Sequence, residues 1–325
     1  MYGSGQFSKI LVLCLVALLA GLTFLFYHGP SIIQKDSSAN SPENAKIWHA
    51  PDTATIPRND EGNLIRYGRD LIARTSYYLG PRGKVMNISN GMNCQNCHLE
   101  AGTKFFGNNY GSVAATYPRF RPRSGHIDSI EKRVNDCLER SLNGKALDSL
   151  SKEMRAIISY VQWLGTDIPR GTMVLGSGLA DLQWLERAAD PTIGKQKFVE
   201  KCRVCHGSSG EGLRLSANSA YIYPPTSGEN SFNTGAGLYR ISSFAKYIRA
   251  NMPNGATYEN PILTAEESWD IAAYVVSQPR PRKNFTQDWP KINSKPIDYP
   301  FGPYADNFSE EQHKYGPFKP MMSKK

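Results

Sequence analysis

Two short segments of the chain, residues 94–98 and residues 202–206, share the pattern Cys-x-x-Cys-His. In this pattern two thiols bond covalently to a porphyrin edge and the adjacent His becomes an iron ligand, which is the attachment signature of c-type haem. A four-Cys zinc site is the alternative, but the two pairs lie far apart in sequence and such a site would not need a His after each pair. Two covalent haems are therefore predicted. The residues predicted to hold them are Cys94, Cys97, His98, Cys202, Cys205 and His206.

Two further cysteines lie outside this pattern. The chain has six cysteines, and the two segments use four of them. Cys14 lies in an apolar N-terminal run and is interpreted as an inert thiol buried there. Cys137 remains unassigned, and an unassigned thiol in a haem protein is a candidate iron ligand.

The sequence around Cys137 predicts a helix over residues 128–142, with Asp128 and Glu131 as candidate capping residues. Residues four positions apart are neighbours along a helix, so Arg133, Cys137 and Ser141 are expected to share one side. This grouping is compatible with Cys137 as an iron ligand. The alternative, which spacing alone leaves open, is a buried Cys on an ordinary amphipathic helix with Arg133 in solvent.

Histidines outside the two segments are weaker candidates for chemistry. His126 could compete as an iron ligand, but it follows the arginine-rich residues 119–123, which are interpreted as a loop. A structural or pocket-lining role is therefore preferred for His126. His49 and His313 are interpreted as surface residues.

Two similar helical units surround the two Cys-x-x-Cys-His segments. In the first, a helix starts at residues 67–72 and a closing helix is predicted over residues 151–164. In the second, a helix from residue 193 runs into the haem-attachment segment, and the closing helix is predicted over residues 264–277, with a Thr and a Glu at capping-box spacing. This order resembles two class I cytochrome c domains in tandem, so the predicted fold is all-α.

The second unit has Met252-Pro253 just before its closing helix. Class I cytochrome domains take their second iron ligand from this loop, usually a Met followed by a Pro. Thioether ligation raises the haem potential and suits electron transfer. Met252 is therefore predicted to ligate the second iron, with a Met in the apolar core as the alternative.

The ends of the chain differ from these two units. Residues 10–27 are apolar almost throughout, which suits an uncleaved membrane anchor better than a cleaved signal peptide. Seven prolines after Pro279 forbid a long helix, and interleaved aromatic residues predict an extended tail packed over the domains. The predicted organisation is an anchor or signal segment at 1–30, a linker at 31–47, a catalytic cytochrome c domain at 48–175, an electron-transfer cytochrome c domain at 176–281 and a tail at 282–325.

Composition limits the possible partners. The 325-residue chain has a formal net charge of +9 and a pI near 9.2, which favours an anionic partner, a membrane surface or a small anionic substrate. There is no dense Lys/Arg run and no nucleic-acid motif, so no nucleic-acid partner is expected. Because c-type haem is attached outside the bacterial cytoplasm, a periplasmic location is predicted, with the chain anchored in the inner membrane or, alternatively, soluble after cleavage.

The combination of these motifs resembles the di-haem thiosulfate dehydrogenases, the TsdA family. The resemblance covers about residues 48–281. Its most specific part is the run Cys-Leu-Glu-Arg-Ser-Leu-Asn-Gly at residues 137–144, placed between the first haem segment and Met252-Pro253. Some relatives have a Lys immediately before the Met and can exchange Lys for Met at the second iron. This chain has Asn251 there, so stable Met ligation is the simpler expectation.

The resemblance implies interconversion of two thiosulfates and one tetrathionate with two electrons. It implies that Cys137 is both an iron ligand, together with His98, and the catalytic sulfur. It also implies that the substrate anion is contacted by Arg133, Ser141 and an upstream arginine, which is assigned to Arg123 with the nearby Arg121 as the alternative. The second haem, with His206 and Met252 as ligands, would exchange electrons with a small cytochrome or another periplasmic partner. The iron ligands implied are thus His98, Cys137, His206 and Met252.

Two other functions remain as alternatives. A SoxA-like subunit also uses a Cys-ligated haem, but it joins thiosulfate to a carrier protein. A non-enzymatic di-haem electron carrier would keep Cys137 for structure only. A di-haem peroxidase is disfavoured because the motif around Cys137 has no place in it.

Overall fold

A computed structural model describes residues 47–216, 220–284 and 286–322. The predicted N-terminal anchor and nearly all of the predicted linker lie outside the described residues. Within the described ranges, no helix is both long enough and apolar enough to cross a membrane.

The first unit is built from helices that enclose residues 94–98. Its helices are α1 (Asp60–Ala73), α2 (Thr75–Leu79), α3 (Leu99–Gly102), α4 (Val113–Thr116), α5 (Ile130–Arg140) and α6 (Lys152–Leu164). The long helices α1 and α6 pack directly against each other. At their crossing, a Cβ on Gly68 would lie 1.9 Å from the carbonyl oxygen of Ala156, so only glycine permits this close approach.

The second unit repeats this packing. Its helices are α7 (Pro191–Lys201), α8 (Arg203–His206), α9 (Ile241–Asn251) and α10 (Ala265–Ser277). A Cβ on Gly194 in α7 would lie 1.8 Å from the carbonyl oxygen of Asp270 in α10. The predicted capping box is present, because the Thr264 hydroxyl accepts from the Glu267 amide and the Glu267 carboxylate accepts from the Thr264 amide, both at 3.0 Å. In each unit, therefore, the first and last long helices cross at a glycine.

The helix that carries Cys137 differs from its prediction at both ends. It spans Ile130–Arg140 rather than residues 128–142, and its N-cap is Ser129, whose hydroxyl accepts from the Lys132 amide at 3.3 Å. The prediction that Asp128 caps this helix is wrong. Asp128 instead ends a strand, and its carboxylate accepts a hydrogen bond from the Ser124 hydroxyl at 2.9 Å.

Two small antiparallel sheets modify the all-α expectation. The first pairs β1 (Arg119–Arg121) with β2 (His126–Asp128), and the second pairs β3 (Leu213–Arg214) with β4 (Tyr221–Tyr223). The segment interpreted as a loop before α5 is therefore a hairpin. Its three-residue strands are too short to show a clear alternating pattern in the sequence, although this hairpin positions three arginines beside α5.

The tail after the second unit contains two short helices, α11 (Glu310–Tyr315) and α12 (Lys319–Met322), so it is not extended throughout. Phe318 and Met321 are each 2% exposed and pack in the core of the second unit. The interpretation of His313 as a surface residue is wrong. Its Nδ1 lies 2.7 Å from the carbonyl oxygen of Ile297, and the residue is 2% exposed.

Candidate functional site

Each Cys-x-x-Cys-His segment opens onto its own cavity. Cavity 1, of about 220 Å³, is in the first unit and is lined by Cys94, Cys97 and His98. Cavity 2, of about 320 Å³, is lined by the second segment and by Met252. Cys97 lines both cavities, so they are adjacent within the described part of the chain.

The imidazoles of both segments are oriented by backbone carbonyl groups. Nδ1 of His98 lies 2.5 Å from the oxygen of Asn108, and Nδ1 of His206 lies 2.8 Å from the oxygen of Pro224. A hydrogen bond from Nδ1 leaves Nε2 as the nitrogen for a metal, which is the usual arrangement of metal-binding histidines. Burial lowers the pKa of His98 to about 4, so its imidazole is neutral, as ligation requires.

The chemistry of each donor set fits a covalently attached haem. Each cavity combines the two thiols and the oriented imidazole of its segment with a further sulfur from outside the segment, against a mostly apolar lining. In cavity 1 this further sulfur belongs to Cys137, and in cavity 2 it belongs to Met252. Met92 of the first unit also lines cavity 2, so a second methionine lies at that cavity and sequence reasoning missed it.

Cys137 shares cavity 1 with the two neighbours predicted from helical spacing. Arg133 and Ser141 both line that cavity. Arg133 has no carboxylate within salt-bridge distance among the residues that the structure describes. The electrostatic interaction with the Cys137 sulfur is the largest influence on Arg133 and raises the pKa of its guanidinium. The structure therefore brings the thiol, the cation and the hydroxyl to one cavity.

A larger cleft of about 800 Å³, here called the outer cleft, adjoins cavity 1. It lies between the hairpin β1–β2, helix α5 and tail residues 286–288 and 290–291. Arg121 and Arg133 line both the outer cleft and cavity 1, whereas Arg123 lines only the outer cleft. The two spaces therefore meet at Arg121 and Arg133.

The resemblance assigned the upstream arginine to Arg123, with Arg121 nearby, and of these two only Arg121 also lines cavity 1. Arg121 ends β1, and Arg123 lies in the turn between β1 and β2, so the hairpin places both residues at the outer cleft. Burial lowers the pKa of Arg121 from its usual value and lowers that of Arg123 to about 10, yet both remain charged at neutral pH. His126 lies in β2 and lines the outer cleft, which agrees with the pocket-lining role preferred for it from the sequence.

Comparisons with known proteins agree on one family. The family model described as "SoxA/TsdA, cytochrome c domain" matches residues 84–169, and the one described as "Cytochrome c" matches residues 192–279. A thiosulfate dehydrogenase of Psychrobacter arcticus is 39% identical over 243 residues, which cover 74% of this chain and 71% of the relative. This chain belongs to the thiosulfate dehydrogenase family. A second member, from Allochromatium vinosum, is 35% identical over 235 residues, covering 71% of this chain and 83% of the relative.

A solved structure of the same family has a similar fold. It is the thiosulfate dehydrogenase (TsdBA) of Marichromatium purpuratum in its as-isolated form, with a TM-score of 0.67 and 29% sequence identity. The match covers 77% of this chain and 51% of the solved chain, so this chain spans about half the length of that relative. Both cytochrome c domains of the family are present here, and the chain therefore carries two covalently bound c-type haems.

Proposed function

We propose that this chain interconverts two thiosulfates and one tetrathionate with two electrons, in either direction, as a thiosulfate dehydrogenase and tetrathionate reductase. The observation that carries the proposal is the meeting of Cys137, Arg133 and Ser141 at the cavity of the first haem-attachment segment. Family membership supports the same reaction, since the relatives of Psychrobacter arcticus and Allochromatium vinosum are named thiosulfate dehydrogenases.

The proposed iron ligands are His98 and Cys137 in cavity 1, and His206 and Met252 in cavity 2. The haems supply the redox chemistry, with a thiolate ligand lowering the potential of the first and a thioether raising that of the second. Because Cys97 lines both cavities, the two attachment sites are close enough to favour direct passage of electrons.

Cys137 is proposed to act as the sulfur nucleophile. Its thiolate forms a bond to the outer sulfur of one thiosulfate, which gives a Cys–S–S–SO₃⁻ group and releases two electrons. The two oxidised haems would take up one electron each and pass them to the external acceptor. The outer sulfur of a second thiosulfate then attacks the sulfur that carries the sulfonate. This step forms tetrathionate and releases the Cys137 thiolate, so charge and sulfur balance, and the reverse sequence reduces tetrathionate.

The anionic groups of both substrates are proposed to bind through Arg133, Arg123 and Ser141. Arginine binds oxyanions with charge-assisted hydrogen bonds, and a serine hydroxyl can donate to a sulfonate oxygen. The amide of Ser141 donates to the Cys137 carbonyl at 2.8 Å, which holds the end of α5 in place beside the thiol. Arg121 lines both cavity 1 and the outer cleft, so it would guide the anion from the cleft into the cavity.

Replacing Met252 with Gly is expected to remove the weak near-infrared band of Met-to-iron ligation and to lower the potential of the second haem. The reason is that this haem would lose its thioether ligand. Near-infrared spectra and a redox titration measure both effects. Met92→Leu is the matched control, because Met92 lines the same cavity. Loss of the band in the Met92 variant, with the band retained in Met252→Gly, would assign the ligand to Met92.

Asn251→Lys is expected to give a mixed population of Lys- and Met-ligated second haem. Asn251 is 2% exposed and lines cavity 2, and its Nδ2 donates to the carbonyl groups of Phe106 and Tyr247 at 3.1 and 3.0 Å. A Lys amine at this position therefore starts next to Met252. Spectra recorded across a range of potentials measure the two populations, and an unchanged spectrum would show that the amine does not reach the iron.

The proposed domain organisation is a catalytic cytochrome c domain at 48–175 and an electron-transfer domain at 176–281, followed by the tail at 282–325. Residues 1–30 are proposed to anchor the chain in the inner membrane, with cleavage to a soluble periplasmic protein as the alternative. A small cytochrome or another periplasmic carrier would exchange electrons with the second haem. These proposals rest on the apolar residues 10–27 and on the fact that the chain must be exported before c-type haem can be attached.

The proposed reaction is tested by assaying the purified full-length chain with thiosulfate and an oxidised dye, and with tetrathionate and a reduced dye. Activity of the single chain without a carrier protein supports the proposal. A requirement for a carrier protein would favour the SoxA-like alternative, and two redox-active haems without either activity would favour the electron carrier. Matches that cover 71% and 83% of two relatives named thiosulfate dehydrogenase already favour the enzyme.

A further inference from the structure

The C-terminal tail closes one side of the outer cleft. Asp288 and Pro290 line the cleft from the tail. The backbone N–H of Trp289 donates to the carbonyl of Arg123 at 2.7 Å, which joins the tail to the hairpin β1–β2. A Cβ on Gly125 would lie 2.5 Å from Pro290, so the two segments are also packed without space between them.

A buried ion pair fastens the tail to the helix of Cys137. Arg140, the last residue of α5, donates two hydrogen bonds to the Asp288 carboxylate at 2.7 and 2.8 Å. The side chains are 8% and 9% exposed. A bidentate pair fixes geometry as well as charge, and removing one partner leaves a buried charge uncompensated. The tail therefore holds a defined position relative to α5.

Trp289 lies against the guanidinium of Arg123. The central carbon of that guanidinium is 5.5 Å from the centre of a Trp289 ring, within cation–π distance. Trp289 is 9% exposed, and its φ of 62° lies in the left-handed region, which a non-glycine residue keeps only when its surroundings impose it. Tyr299 packs edge-on against the indole, with 5.5 Å between the ring centres, and helps to hold Trp289 in this backbone conformation.

Arg123 is thus held from two sides while part of its side chain lacks a protein partner. Its Nη1 donates to the carbonyl of Gly235 in the second unit at 3.2 Å. Its Nε is buried and has no hydrogen-bond partner among the described residues. Among the described residues, Arg123 has no carboxylate within salt-bridge distance, and its guanidinium is stacked and tethered at one nitrogen. It is therefore oriented for an anion in the outer cleft that it lines.

We infer that Trp289 is a positioning residue, which orients Arg123 towards sulfur oxyanions in the outer cleft, and that the Arg140–Asp288 pair holds the tail in place for this purpose. The inference rests on the proposed function for the identity of the anion. It assigns to the tail a role in substrate binding, so the catalytic domain is incomplete without residues 286–291.

A double-mutant cycle tests this inference. Trp289→Ala is expected to raise the KM for tetrathionate about 2- to 30-fold, the range that loss of a cation–π contact produces, with little change in kcat because Cys137 is untouched. Trp289→Phe is expected to retain most of the affinity. In an Arg123→Ala background, Trp289→Ala should have no further effect on KM. Additive effects of the two substitutions would overturn the inference.

Two controls separate positioning from general damage to the tail. Tyr304, whose ring stacks on His313 at 3.6 Å, lies in the same tail, so Tyr304→Ala loosens it without removing the contact to Arg123. The Tyr304 variant should keep the wild-type KM; an equal rise would mean that the tail acts only through overall stability. Haem absorption spectra of every variant should match the wild type, and a kcat loss accompanied by altered spectra would likewise count against positioning.

The contact can also be measured independently of the proposed reaction. If the wild-type chain turns over neither sulfur anion, the proposed function fails. The rate at which an arginine-specific dicarbonyl labels Arg123, followed by mass spectrometry, then reports on the contact alone. Trp289→Ala should accelerate this labelling and Tyr304→Ala should not, whereas equal rates in the wild type and Trp289→Ala would exclude a positioning role.

Discussion

Cys137→Gly is expected to abolish both thiosulfate oxidation and tetrathionate reduction while both covalent haems stay in place. The haems stay because the substitution leaves all four attachment cysteines unchanged, and activity is lost because the variant has no sulfur to bond to the substrate. Turnover in both directions measures the first effect, and haem quantification on denatured protein measures the second. Full activity of a haem-loaded Gly variant would remove Cys137 from the mechanism.

Cys137→Met is the matched comparison, since it restores a sulfur ligand without a nucleophilic thiolate. We expect a six-coordinate first haem with a higher potential and no recovery of turnover. If the Met variant were fully active, Cys137 would be an iron ligand only, and the covalent step proposed here would be wrong.

Arg133→Ala is expected to lower kcat/KM by about 10- to 150-fold, which corresponds to the loss of a charged hydrogen bond worth roughly 1.5–3 kcal/mol. Arg133 lines both cavity 1 and the outer cleft, and no carboxylate among the described residues neutralises it within salt-bridge distance. Its charge is therefore available to the substrate. Steady-state kinetics with thiosulfate and with tetrathionate measure the effect.

Arg155→Ala is a suitable control for that variant, because Arg155 is an exposed arginine on α6. It should retain wild-type kinetics, which separates the local role of Arg133 from a change in net charge. Arg133→Lys should lie between the wild type and Arg133→Ala, since Lys keeps the charge but loses the planar fork of the guanidinium. Unchanged kinetics in Arg133→Ala, with both haems loaded, would exclude substrate binding by this residue.

The sequence predicted the parts of the structure that depend on local patterns. The two haem-attachment segments, the capping box at Thr264 and the main helices follow from residues that are close together in the chain. The helices that carry Gly68 and Gly194 were predicted too, but the reason for the glycines was not. Each lies where two helices from opposite ends of a domain cross, and only the folded structure shows how close those backbones come.

Long-range contacts explain what the sequence could not predict. Asp288 and Trp289 reach the site from a tail that follows both domains, and their partners Arg140 and Arg123 lie in the first domain. No local pattern encodes such a pairing. The hairpin that presents Arg121 to cavity 1 was missed for a related reason, since its short strands depend on packing against α5 and the tail rather than on their own propensity.

The most direct test of the proposed reaction is its stoichiometry. Purified oxidised protein with limiting thiosulfate and excess one-electron acceptor, under anaerobic conditions, should consume two thiosulfates for each tetrathionate formed and for each two acceptors reduced. Haem-loaded Cys137→Gly should form no tetrathionate in the same assay. Acceptor reduction without tetrathionate, or tetrathionate formed at the wild-type rate by the Gly variant, would contradict thiosulfate–tetrathionate interconversion at Cys137.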